Sequence, residues 1–496
     1  MGTIKPWLAA ALLGTAVAFG PAAAFAAKDT FSIGAVLEPP HLDPTAGAAA
    51  AIDEVVFINV FEGLVRLDER GHIQPLLAES WTISDDGLTY TFKLHQGVKF
   101  HDGTTFDSAD VKFSFERAMA PNSVNAQKSL FAPITAIETP DASTVVLKLS
   151  KPAGQMLFNL TWGDAAIVAP ESAGEAEKTR PVGTGPFKFK QWVKGDRVEL
   201  VRNDDYWGDK VALKEATIKF IADPAAALQA ILAGDLDAFS NFPAPENLPQ
   251  LEADPRFKVA IGTTEGETIL AMNNGVKPFN DIRVRRAVSH AIDRQAVIDG
   301  QFGYGTPIGS HFSPSAPGYV DLTDRYPYDP AKAKALLTEA GYPDGFKTAL
   351  MLPPPGYARR GGEIIAAMLA EVGIKAEIVP LEWAQWLDQV FKNKAYGMTI
   401  VSHTEPMDIG IYARDNYYFN YKNPAFNELM AKLDTTTDQD ERLKLYGDAQ
   451  RMLAEDAVNA FLFELPQYGV WNAKVEGLWT NRPFQVNDLT KVHWTE

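Results

Sequence analysis

Two runs in the first quarter of the chain, residues 88–94 and 98–106, carry an apolar or aromatic side chain at every second position, the period of a half-buried strand. Asp85-Asp86-Gly87 and Gln96-Gly97 supply the turns beside them, because glycine tolerates positive φ and aspartate bonds its own backbone. Asp107 or Ser108 then caps a helix whose Val111, Phe113 and Phe115 begin a buried face. The same reading predicts strands over 30–36, 144–149 and 187–192, a helix over 52–61 closed by Gly63, and a helix over 225–232. In the second half, Asn280-Asp281 caps a helix with Val284, Ala287, Val288, Ala291 and Ile292 on one face. Asp329-Pro330 opens another that Gly341 closes. The basic residues Arg283, Arg285 and Arg286 read as a solvated face. Helix 363–371, strand 374–379, helix 382–391 and strand 397–401 then follow in alternation, before helix 446–453 and strand 460–465. That order implies an α/β lobe with parallel strands, whose loops at the strand ends face a cleft.

The residues carry more than their periodicity. Ala-Glu-Ser-Trp at 78–81, Asp-Gly-Leu-Thr-Tyr-Thr-Phe at 86–92, Gly-Val-Lys-Phe-His-Asp-Gly at 97–103 and Val-Lys-Phe-Ser-Phe at 111–115 stand in one order. This order closely resembles the signature of the extracytoplasmic solute-binding proteins of peptide-type ABC importers, a family that includes nickel, glutathione and oligosaccharide binders. Pro181-Val182-Gly183-Thr184-Gly185-Pro186-Phe187 followed by Asn203-Asp204-Asp205-Tyr206-Trp207-Gly208, Gly234-Asp235-Leu236-Asp237-Ala238, and Tyr328-Asp329-Pro330 extend the resemblance. The Gly183-x-Gly185 turn opens a strand and not a helix, so no helix N-terminus stands there to hold a phosphate.

The resemblance implies an α/β fold of two lobes joined by a hinge, the periplasmic binding protein fold, with an extra subdomain in the first lobe. The expected division is a core of lobe I over 27–56, 186–267 and 471–496, the extra subdomain over 57–185, and lobe II over 268–470. A chain of 496 residues exceeds one ordinary core, which agrees with this.

Charge and export narrow the function. A net charge of -17 opposes nucleic-acid binding, which needs a basic footprint. Residues 1–26 read as a secretory signal peptide, with Lys5, an apolar run over 7–19 and the small-x-small site Ala24-Phe25-Ala26. The run is shorter than the roughly 20 residues that span a bilayer. The absence of cysteine excludes a lipid anchor, disulfides and thiolate metal sites. A soluble, monomeric periplasmic protein is expected, delivering its cargo to an ABC permease in the inner membrane and needing no cofactor.

Candidate ligand-binding residues follow partly from chemistry and partly from the resemblance. Ser402-His403-Thr404-Glu405-Pro406-Met407-Asp408 leaves a buried strand, and its two acids could hold a cation by charge-assisted hydrogen bonds. In peptide-binding relatives an acid at this strand end pairs with the ligand's α-ammonium; counting from Ala358-Arg359-Arg360 puts Glu405 there, with Asp408 as second choice. Trp383 follows Glu382 as a ligand-contacting tryptophan does in relatives, and Trp386 shares its helix face. Arg359 and Arg360, after Tyr357, could pair a ligand carboxylate. Trp162 is read as core or as a ligand platform. Pro40 and His41 lie in the proline-stiffened loop that the resemblance sets at the cleft mouth. Leu352 stands where dipeptide binders carry a carboxylate-pairing arginine, which argues against an ordinary dipeptide.

No Gly-x-Ser-x-Gly, His-Glu-x-x-His or Walker motif occurs, so a binder is favoured over an enzyme. A hydrolase using Glu405 and Asp408 would place both acids in one turn, poorly set to flank a sugar. A nickel-chelate binder drawing on His41 and His403, or an oligosaccharide binder, are the alternatives within the same fold; no resident metal site is expected, since the eight histidines show no ligand spacing.

Overall fold

The structure is a computed structural model that describes residues 1–2, 28–47 and 49–495; the expected leader lies outside the described residues from position 3 onward. The expected two-lobed α/β architecture is the one found. One hydrogen-bonded path of strands runs through both lobes. In the first lobe Thr30–Ala35 is central, paired in parallel with Glu215–Phe220 and Ala238–Phe239, and the path continues antiparallel through Arg197–Arg202 to Phe187–Val193. In the second, Phe346–Leu352 lies parallel to both Ile374–Pro380 and Met398–His403, as the alternation of helix and strand required. Helices Ile282–His290 and Gly356–Glu371 bury apolar faces against this sheet.

Two long antiparallel strands, Phe257–Met272 and Asn459–Asn472, join the lobes. Their outer halves pair in the first lobe from Phe257–Asn472 to Thr263–Pro466, and the inner halves in the second from Glu267–Glu464 to Ala271–Asn459. Between Thr263 and Glu267 the register breaks. An irregularity there interrupts the strand-to-strand ladder between the lobes, which suits a hinge.

A separate four-stranded antiparallel sheet, in the order Ala78–Ile83, Thr89–Leu94, Thr144–Leu149, Ile134–Asp141, packs on helix Ser108–Met119 around its own core of Tyr90, Phe92, Phe115 and Leu147. Asp107 caps the helix and Asp110 returns the bond, a reciprocal capping box. Residues 98–106 are not the expected strand. Only Lys99 and Thr105 bridge, because Asp102 accepts from the Thr104 amide and hydroxyl and Gly103 takes φ 93°; Val98, Phe100 and Phe106 still reach the core from this loop.

The first helix is also shorter than its pattern, Ala50–Val56 and not 52–61. Beyond it the carbonyls of Asn59 and Val60 leave the helical ladder to accept from the amides of Phe187 and Gly185. A Cβ at Gly183 would stand 2.0 Å from the Val60 oxygen, so the glycine turn is required by this close approach. Glu62, buried beside it, accepts from Thr184, Tyr206 and Trp207 at 2.7, 2.7 and 3.0 Å and ties the signature segments together. Helix 382–391 begins as α over Trp383–Trp386 and continues as π over Leu387–Lys392. The basic face at 283–286 is only partly solvated: Arg285 is 7% exposed and donates to the carbonyls of Phe279, Asp456 and Ala457.

Candidate functional site

Between the lobes lie two adjoining cavities. The larger, about 410 Å³, is walled by Gly34 to Leu37, Glu54, Ser240 and Arg482 to Gln485 on one side, by Thr404 and Pro406 on the other, and floored by Thr264 to Gly266 and Leu465 of the crossing strands. The smaller, about 230 Å³, sets Asp53, Trp162 and Asp164 opposite Thr404, Glu405 and Pro406. Thr404, Pro406, Phe484 and Gln485 border both. The turn that follows strand Met398–His403 therefore forms one wall of the cleft, because a parallel strand must leave the sheet at its carboxyl end, where clefts open.

Glu405 is exposed on this turn, with a single contact from the Thr404 amide at 3.3 Å. Among the described residues lining the smaller cavity, Asp53, Asp164 and Glu405 are acids and none is Lys or Arg. Burial pushes the Asp164 carboxyl up to about 7 and Asp53 well above the usual carboxylate range, where the Asp164 charge adds to the effect. A positive group entering this cavity would supply the counter-charge that burial withholds.

Asp408 is turned elsewhere. It accepts from His311 Nε2 at 2.7 Å and lies 3.7 Å from His403 Nδ1, while the Tyr412 hydroxyl meets His311 Nδ1 at 3.1 Å and the Tyr418 hydroxyl meets His403 Nε2 at 3.0 Å. Burial works against its charge, but the two imidazoles more than offset this and hold the carboxyl below its usual range. This chain of side chains fixes the turn that carries Glu405. It also separates the two acids proposed as a hydrolytic pair, since one faces the cleft and the other the histidines.

Of the remaining sequence candidates, Trp162 lines the smaller cavity and packs edge-on against Phe484, with ring centroids 5.1 Å apart. Pro40 and His41 do not line either cavity, although their loop contributes Leu37 and Pro44. His41 lies beside Gly47, far in sequence and in lobe from the His403 cluster. Arg359 donates to the Leu381 carbonyl and to Glu382 at 3.2 and 3.1 Å; Arg360 covers the Phe302 ring at 4.5 Å. The Tyr357 hydroxyl accepts from the Ser402 amide at 3.2 Å, and Trp383, 42% exposed, packs against Trp386. These four gather at the carboxyl edge of the lobe II sheet but line neither cavity. Leu352 is fully buried in the lobe core.

The basic side chain that does reach the larger cavity is Arg482, bonded to Glu54, and the chain's last segment supplies it with Phe484 and Gln485. Sequence reasoning passed over these residues and over Glu265. The tail carries no motif, whereas Glu265 and Glu267 were legible as two acids between the apolar runs 259–261 and 269–272.

Two lobes, two crossing strands and a lined cavity between them define a clamp for a small solute. Residues 72–425 match the model of the bacterial extracellular solute-binding proteins, family 5. The chain is 32% identical over 475 residues to the glutathione-binding protein GsiB of Salmonella paratyphi A, covering 91% of each, and 31% identical over 425 residues to heme-binding protein A of Haemophilus influenzae, covering 78% of each. The structure of HbpA2 from Haemophilus parasuis superposes with a TM-score of 0.87 at 26% identity, covering 94% of this chain and 100% of that one. The chain belongs to family 5 of the bacterial extracellular solute-binding proteins, the periplasmic binding components of ABC importers. Among the described residues no helix is long and apolar enough to cross a membrane.

Proposed function

We propose that this protein binds a peptide or similar small zwitterionic solute between its lobes, unaltered, and delivers it to an inner-membrane ABC permease. The observation that carries this reading is the smaller cavity, where Glu405 from one lobe faces Asp53 and Asp164 from the other with no basic side chain among the described lining residues. Three acids suit an α-ammonium, and the Arg482–Glu54 pair in the larger cavity offers a donor for a carboxylate. Of the solutes in the names of the relatives, glutathione, a small peptide with a free α-ammonium, fits this chemistry. Lobe I is taken as 27–56, 186–267 and 471–496 with its subdomain over 57–185, and lobe II as 268–470. A ligand touching both favours the closed form only by its difference in affinity for the two states.

A thermal-shift panel of glutathione, tripeptides, dipeptides, opines and oligosaccharides tests the reading. A true ligand at 100 times its dissociation constant adds roughly 2.7 kcal/mol of stability. Peptides should raise the melting temperature and neutral sugars should not; the reverse pattern would overturn it. A second reading, a nickel-chelate binder, is favoured by His311, His403 and Asp408, whose ligating atoms lie within 4.8 Å of one another. Nickel retained after dialysis against nickel-histidine, and lost in His311→Gln, would select it.

A further inference from the structure

Glu265 stands on the floor of the larger cavity, at the break in register between the crossing strands. Three hydrogen bonds with side chains engage the backbone beside it. The Thr264 hydroxyl donates to the Leu465 carbonyl at 2.9 Å and accepts from the Gly266 amide at 3.0 Å, and Ser313 donates to the Thr264 carbonyl at 3.0 Å. The side chain is only 6% exposed, lines the cavity, and its Oε1 has no hydrogen-bond partner among the described residues. An acid so placed, open to a ligand-sized space and short of a donor, is rare in a settled core, because an unmatched buried acceptor costs about 1–3 kcal/mol.

Behind it stand two more acids. Glu267 and Glu464 are directly opposite on the two strands, 3% and 0% exposed, and both carry carboxylate oxygens without partners. Burial pushes Glu265 up to about 8, with the nearby Asp408 adding to the rise, and pushes both others well above the usual range. Facing Glu265 across the cavity, the one arginine among the described lining residues is paired with Glu54. Three carboxyls thus stand on or just behind the floor, and a cation entering there would draw Glu265 toward its charged form. Among the described residues only His311, His403 and Asp408 bring three ligating atoms within 4.8 Å, so Glu265, Glu267 and Glu464 do not converge on one small metal ion. A larger cation with several N–H donors fits better.

We propose that Glu265 is a specificity-determining residue that accepts a second cationic group of the cargo, the guanidinium or ammonium of a basic side chain. The preferred solute is then a short peptide with a basic residue, its α-ammonium at Glu405 and its side-chain cation at Glu265. This rests on the peptide reading above, while the recognition of the second cation stands on the geometry of Glu265 alone.

Calorimetry with the mature protein decides it, using arginyl-alanyl-alanine and its citrulline counterpart, which has the same shape and no charge, with agmatine as a non-peptide cation. The wild-type protein should prefer arginine over citrulline by on the order of tenfold to a hundredfold. Glu265→Gln should reduce that ratio to about twofold while holding the citrulline peptide as the wild type does, which also shows that the variant is folded. Equal affinity of the wild type for both peptides, or a preference that survives in Glu265→Gln, would overturn the role of Glu265 and leave the peptide reading standing. Binding of agmatine but of neither peptide, lost in Glu265→Gln, would support Glu265 and overturn the peptide reading. Binding of none of the three would overturn both.

Discussion

Replacing Glu405 by glutamine preserves the shape of the turn and removes its charge. The side chain is exposed and its only polar contact is the neighbouring amide, so nothing buried is left unpaired and the melting temperature of the ligand-free protein should not move. The effect on binding is different in kind. An ammonium about 4 Å from the carboxylate gains roughly 4 kcal/mol at an effective dielectric near 20, and closure of the lobes lowers that dielectric further. Part of this gain offsets the removal of both charges from water, and truncating one partner of such a pair costs about 2–5 kcal/mol. At about 1.4 kcal/mol per tenfold, the loss is roughly 30-fold to 3,000-fold in affinity, so a ~1 μM ligand weakens to between ~30 μM and a few millimolar. Isothermal titration with the best peptide from the thermal panel measures it directly. A dissociation constant within threefold of the wild type would refute the assignment of Glu405 to the ammonium.

Glu62→Ala should strip one buried donor, Thr184, and two half-buried ones, Tyr206 and Trp207, of their common acceptor and cost on the order of 3 kcal/mol. A denaturant midpoint equal to the wild type would contradict that. Stability should also fall as pH rises from about 6.5 to about 8. Burial raises Glu177 to about 8 and Asp164 to about 7, so the folded protein keeps protons there that the unfolded chain, titrating near pH 4, has already released. Histidines depressed by burial, such as His101 at about 4, oppose this only below pH 6.5, where the unfolded chain takes up their proton. Glu177→Gln should therefore flatten the slope, by about 2 kcal/mol over that window. A urea midpoint that rises between pH 6.5 and 8 would count against it.

Local chemistry was legible wherever a residue acts on its own neighbours. Asp107, Asp281 and Asp329 cap helices as their sequence position implies, and strand Thr144–Leu149 has the limits its alternation set. The motifs at 78–115 and 181–208 carried the family, and with it two lobes and a hinge. Patterns failed where the backbone answers to distant partners. Residues 57–61 look helical, yet they are drawn out to meet the glycine turn near 185, and 98–106 alternate like a strand while folding as a capped loop.

The candidate site divides in the same way. Glu405 could be read as an acid at the exit of a buried strand, since strand and turn are continuous in the chain. That it faces Asp53 and Asp164, while Asp408 only three positions later is engaged by His311, was decided by residues separated by more than ninety positions and brought together by the crossing strands. The arginines followed the same rule. Arg359 and Arg360 have partners within their own lobe, whereas Arg482 reaches the cleft because the chain's last segment packs back on the first lobe beside Glu54. A sequence specifies the chemistry each side chain can perform; the direction in which it points depends on packing between segments that only the folded chain brings into contact.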